Sequence, residues 1–214
     1  MADFWNSKYK EYDWAYGRTP NDFVVESLSS FKTEHEIIKV LSVGEGEGRN
    51  AIYVAQLLKT LGKEYKVEAI DLSTVACEKL SSWAQELGLN ITTKVMDLAD
   101  FVWNENEYDI ILSIWCHTPS ILRKQWHAKI SSALKSDGIF ILEAYTPENI
   151  GLGTGGPQLP DLCVKESDLR VELSELQILI LKSNQRDIQE GALHHGLSFT
   201  VQACAKSKKI KNGC

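Results

Sequence analysis

The 214-residue sequence predicts an α/β fold: a doubly wound, mostly parallel sheet with an antiparallel C-terminal strand and an N-terminal helical cap. Three observations predict it. Short β-branched and aromatic runs alternate with longer segments of helical period, a glycine-rich turn follows the first run, and acidic residues close the next two. A repeated strand–helix order calls for parallel pairing with helices on both faces, because each crossover has to climb back over the sheet. Such a fold is Rossmann-like.

Residues 3–12 and 21–31 read as helices flanking Tyr16-Gly17-Arg18-Thr19-Pro20, and residues 1–31 form the cap. Strands are predicted at 37–43, 67–70, 91–95, 108–115 and 139–144, each short and bounded by charge or glycine. Helices are predicted at 50–61, 73–87 and 120–134, where apolar residues recur three and four apart, as in Ala51, Val54, Ala55 and Leu58. The stretch 147–160, PENIGLGTGGPQLP, holds four glycines and three prolines and supports no periodic element. A loop that long is either functional or a mobile surface connection. Residues 176–181 and 197–203 have no helix-length segment between them and read as an antiparallel pair at the sheet edge. The whole chain, 1–214, reads as one domain, with a core at 37–206 and a basic tail at 207–214.

A formal net charge of −6 argues against nucleic acid as a partner, since a phosphate-binding surface needs an excess of Lys and Arg. The basic cluster from Lys206 to Lys211 has no interleaved aromatics and reads as a solvated tail. Five widely spaced cysteines without a C-x-x-C pair suit a reducing compartment and offer no metal site. The start of the sequence has no basic-then-apolar leader, and no apolar run approaches the length that spans a bilayer. The expectation is a cytoplasmic monomer or homodimer acting on a small molecule, without membrane contact.

The chemistry begins at VLSVGEGEGRNA, where Gly44, Gly46 and Gly48 alternate behind the first strand. Glycines placed there either hold a sharp turn or admit a close approach to the backbone. The spacing is neither a dinucleotide G-x-G-x-x-G nor a P-loop. Asp71 ends the next strand, roughly 20 residues past the last glycine, where a carboxylate can accept from a ribose diol or cap the following helix. Asp97, in Met96-Asp97-Leu98, can accept from an adenine amine or close an Asx-turn. Glycine, acid and acid at three successive strand ends point to a nucleoside.

The segments GEGEGRNA, AIDLS, VMDL and YDIILSIWCHTP resemble class I S-adenosylmethionine-dependent methyltransferases. GRNA with WAYGRTPNDF, and EGALHHG at 190–196, is similar to the tellurite-resistance and thiopurine methyltransferase-like branch. The resemblance implies S-adenosylmethionine as cofactor and methyl transfer to a small acceptor, a soft nucleophile such as a thiol or a metalloid oxyanion. It implies that Gly44, Gly46 and Gly48 meet the methionyl part, with Arg49 near its carboxylate. It further implies that Asp71 holds the ribose, Leu72 and Leu98 sandwich the adenine and Asp97 sits at its amine. Residues 114–117, from Ile114 to His117, then floor the methyl site. Ser42 departs from the family, which commonly has an acidic residue there, and Glu45 and Glu47 place charge in the turn that a diphosphate would oppose.

His117, His194 and His195 are the candidate titrating groups, with His194 and His117 as the catalytic candidates because they fall in functional segments of the resembled family. A base of ordinary pKa would titrate near 6.5. Trp5, Trp14 and Tyr16 either pack the cap or close over a sulfonium by cation–π attraction, with Tyr16 the best placed for the second role. The rival readings are a nicotinamide-dependent oxidoreductase and a non-catalytic S-adenosylmethionine-binding module.

Overall fold

The computed structural model describes residues 1–29 and 31–209. Seven strands form one sheet in the order β3-β2-β1-β4-β5-β7-β6. They are β1 (Ile37–Val43), β2 (Glu64–Asp71), β3 (Ile91–Val95), β4 (Tyr108–Ile114), β5 (Leu134–Tyr145), β6 (Gln177–Glu190) and β7 (His194–Lys206). The first five pair in parallel, whereas β7 runs antiparallel to both β5 and β6. Helices α1 (Ala2–Glu11) and α2 (Asp22–Leu28) make the cap, and α3 (Arg49–Thr60), α4 (Thr74–Glu86) and α5 (Ser120–Ala133) are the crossovers.

Both faces of the sheet are packed. One apolar core joins Val40, Ile110 and Ile141 to Val54 and Leu58 of α3 and Leu80 of α4, and the other joins Leu41, Ile111 and Phe140 to Trp126 and Ile130 of α5. β4 is buried along its whole length, as a strand covered on two sides must be.

Three predictions need correction. First, the C-terminal strands extend through polar sequence that carries no apolar alternation, because Arg186 and Glu190 are held in a buried ionic network rather than in solvent. Second, the 147–160 stretch contains single 3-10 turns at Pro147–Asn149 and Pro160–Leu162, and a further helix, α6 (Glu166–Glu172), follows it. Third, the start of the basic tail is docked: Lys209 Nζ donates to the Ser132 and Leu134 carbonyls at the end of α5, 2.7 and 2.6 Å away, and Lys208 to that of Ser174. Those carbonyls lack helical partners, so an ammonium satisfies them well. Lys211 and the rest of 210–214 lie outside the described residues.

Helix α1 is fastened at both ends. Asn6 Oδ1 accepts from Ser73 Oγ and from the Val75 amide at the start of α4. Lys79 Nζ donates to the carbonyls of Tyr9, Tyr12 and Asp13, and to Glu47, closing the helix at its C-terminal end.

Candidate active site

The C-terminal ends of β1, β2, β3, β4 and β5 gather at one edge of the sheet, where the strand order reverses between β1 and β4. Open α/β sheets bind ligands at that switch point. Because β7 is antiparallel, its first residue, His194, starts at the same edge.

Gly44, Gly46 and Gly48 have φ of +61°, +63° and +99°, values that L side chains rarely adopt. A Cβ on Gly44 would stand 2.7 Å from Cys116 Sγ, and one on Gly46 2.5 Å from the Tyr9 hydroxyl. The turn is stitched to β2, since the Gly46 amide donates to Asp71 Oδ2 at 2.8 Å and the Ser73 amide to Asp71 Oδ1 at 2.8 Å. The cap of α4 is Ser73, whose hydroxyl accepts from the Ala76 amide at 3.2 Å, and Asp71 braces the turn ahead of it with a lone pair left on each oxygen for a further donor. Burial raises its pKa, against the pull of these amides.

Glu45 answers the departure at Ser42. Its carboxylate takes a hydrogen bond from the Ser42 hydroxyl and accepts from the amides of Asn50 (3.0 Å) and Ala51 (2.9 Å), capping α3. The acid that the resemblance expects on β1 is supplied from three residues on. Glu47 turns to Lys79 and to the Ala15 amide.

A cavity of about 90 Å³ is lined by Gly44, Ile70, Asp71, Leu72, Asp97 and Leu98. Asp97 accepts from the Ala99 amide at 2.9 Å, so its Asx-turn also forms. A second cavity of about 40 Å³ is lined by Tyr16, Gly48, Arg49, Ile114, His117 and His194 among others. The two meet at Trp5, Tyr9, Gly44, Trp115 and His117. A carboxylate at the end of β2, Leu72 and Leu98 in the cavity lining, and a turn whose glycines leave its backbone bare while Glu45 and Glu47 are engaged elsewhere together fit an adenosine with a short charged tail. Nine of the ten residues named for the cofactor line these two cavities, and the tenth, Gly46, has its amide tied to Asp71.

Around the second cavity the aromatic rings close in. The Tyr16 and His194 ring centroids are 4.4 Å apart, Trp115 stacks on Tyr145 at 4.4 Å, and His194 meets Trp115 and Tyr145 edge-on at 5.2 Å each. Both ring nitrogens of His117, Nδ1 of His194 and the Tyr145 hydroxyl are buried without hydrogen-bond partners among the described residues. Burial lowers the pKa of His117 to about 4. His194 also lies well below the usual imidazole value, through burial first and then the neighbouring His117, Arg49 and Arg186. His195 is exposed and outside both cavities. Trp14 serves the cap: it packs edge-on against Trp83, with the Arg18 guanidinium over both rings.

Sequence reasoning missed the layer behind these rings. Glu190 accepts from Asn21 Nδ2 (2.8 Å), Trp115 Nε1 (2.6 Å), Arg186 Nη2 (3.1 Å) and the Arg49 guanidinium. Glu143, fully buried on β5, accepts from Arg186, Asn21 and Gln202. Arg49 therefore lines the cavity with its guanidinium already engaged. Trp115, at φ +57°, is strained into place between its indole bond to Glu190 and its amide bond to the Glu143 carbonyl. The available signal was one acid, Glu143, inside the apolar run IFILEAY.

Residues 40–138 match the family model described as a methyltransferase domain. Over that span, just under half of its length, the chain is similar to a methyltransferase domain. The fold is shared widely. TehB from Haemophilus influenzae is similar over 97% of this chain and 67% of that one, at 17% identity and a TM-score of 0.71. A protein solved in work on the conversion of a disulfide bond into a thioacetal group during echinomycin biosynthesis also gives 0.71, at 16% identity, over 97% and 92% of the two chains. Magnesium protoporphyrin IX methyltransferase (ChlM) from Synechocystis, solved with bound SAM, gives 0.61 at 17% identity over 87% and 77%. At such identities the likeness speaks of the fold. No curated protein matches the sequence. No described helix is long and apolar enough to cross a membrane.

Proposed function

We propose that the domain methylates a soft nucleophile, a thiol or a metalloid oxyanion, on a small acceptor, with His194 as proton acceptor and His117 beside it. One observation carries the reading: His117, His194 and Tyr145 bring unpartnered buried polar atoms together next to the nucleoside cavity. Leaving such atoms unpaired costs about 1–3 kcal/mol each, a cost that a polar acceptor group would offset. The resemblance of GRNA, WAYGRTPNDF and EGALHHG to the tellurite-resistance and thiopurine methyltransferase-like branch supports a soft nucleophile.

The cofactor, when bound, supplies an electrophilic methyl. The glycine turn, Asp71, Leu72, Asp97 and Leu98 hold and orient it, and the Tyr16 and Trp115 faces favour positive charge near the second cavity. The remaining task is alignment in a dry pocket. Neutral His194 Nδ1 takes the proton of the nucleophile, and the Tyr145 hydroxyl donates a hydrogen bond to it. Because burial keeps His194 neutral, the acid limb of the rate lies below pH 6.5, lower than an ordinary imidazole would place it.

Turnover with labelled cofactor against thiols, tellurite and selenite tests the reading. In the active pair, His194→Ala should lower kcat by about 100-fold with cofactor affinity retained, and should remove the acid limb. A wild-type rate and pH profile in that variant would transfer the role to His117.

A further inference from the structure

Outward from His117 and His194 the cavities open into a groove of about 450 Å³ between α1 and the 147–160 loop. Its walls are Phe4 and Trp5 on one side and Pro157, Leu159, Leu162 and Leu193 on the other. We propose that this groove holds the body of the methyl acceptor, and that the acceptor is an organic thiol with an apolar body and an anionic group at its outer end. The inference rests on the methyl-transfer reading and chooses between its two acceptor classes.

Three observations carry it. The volume is that of a site for a drug-sized organic molecule, far larger than an inorganic oxyanion fills. The cations at the inner end are already paired, Arg49 with Glu190 and Arg186 with Glu143 and Glu190. A metalloid oxyanion would therefore lose its hydration among apolar side chains without gaining a free counter-charge. Lys8 lines the groove but neither inner cavity and is the only charged side chain among the groove's lining residues; its ammonium stands 5.5 Å over the Phe4 ring and makes no ion pair among the described residues. An acceptor lying along the groove places its anionic group there and its thiol at His194.

The loop glycines shape this wall. A Cβ on Gly155 would stand 2.6 Å from the His194 ring, and one on Gly156 would overlap the Tyr145 ring, so the loop backbone lies flat on both. In the transfer, the acceptor S–H proton passes to His194 as the sulfur forms its bond to the methyl carbon. The electron pair of the broken methyl–sulfur bond stays on the donor.

Calorimetry on the full chain loaded with S-adenosylhomocysteine separates the alternatives, using octanoate, 1-octanol, octylammonium and tellurite as non-reacting probes. Octanoate should bind most tightly. Lys8→Ala should weaken octanoate about 5-fold and leave octanol unchanged, while Leu159→Asp, at an exposed position on the groove wall, should weaken both. With 8-mercaptooctanoate as substrate, Lys8→Ala should raise KM at constant kcat. Tellurite binding without octanoate binding, or octanoate binding indifferent to both substitutions, would overturn the proposal. Octanoate binding in a chain that methylates no thiol would instead overturn the methyl-transfer reading alone.

Discussion

His117 and His194 are the residues at which burial, chemistry and stability meet. The fold keeps both neutral, with His117 at about 4, whereas in the unfolded chain each protonates near 6.5. Below that value the unfolded state binds more protons than the native one, so stability rises with pH through this window and is lost as pH falls. The expected slope is up to about 1.4 kcal/mol per pH unit for each histidine, for His117 between roughly pH 6.5 and 4 and for His194 from roughly pH 6.5 downward. Urea midpoints across that range measure it, and His194→Ala should flatten the slope. An equal slope in wild type and variant would mean that His194 titrates alike in both states.

At the scale of elements, the glycine turn shows what a sequence can and cannot tell. Its spacing marks a turn at the end of a strand, and the acids at 71 and 97 mark the next two strand ends, because short chemical groups at fixed intervals leave a local signature. Which atoms the glycines make room for is a tertiary fact: the Tyr9 hydroxyl of α1 packs where a Cβ on Gly46 would stand. If a ligand alone required that glycine, Gly46→Val would spare the free protein. The structure predicts otherwise, since both the +63° backbone and Tyr9 oppose a β-branched side chain. A thermal melt without cofactor should show the variant lowered by several degrees, and an unchanged midpoint would return Gly46 to a purely ligand-facing role. The polar half of β6 was illegible for a similar reason: Arg186 and Glu190 look like surface residues until Glu143, Asn21 and Arg49 arrive from far along the chain. The three successive strand ends were readable, and the network that braces them was not.

Across the whole molecule, one helix borders two cavities. Trp5 and Tyr9 of α1 border the nucleoside cavity, while Phe4, Trp5 and Lys8 border the outer groove. A ligand in either cavity lies against α1, so the placement of the helix and the two binding events are linked. The helix's polar fastenings are Asn6 at one end and Lys79 at the other, and between them Tyr9 packs with Ala76 of α4. A helix that settles around the first ligand completes the binding wall for the second, and thermodynamic linkage makes the effect mutual. Cofactor and acceptor should therefore add in order, cofactor first. Asn6→Ala, which loosens the helix without touching either cavity wall, should shrink the factor by which S-adenosylhomocysteine tightens octanoate; equal factors in variant and wild type would uncouple α1 from the sequence of events. The cap, on this account, is a timing device: it fixes which molecule the enzyme must meet before it recognises the other.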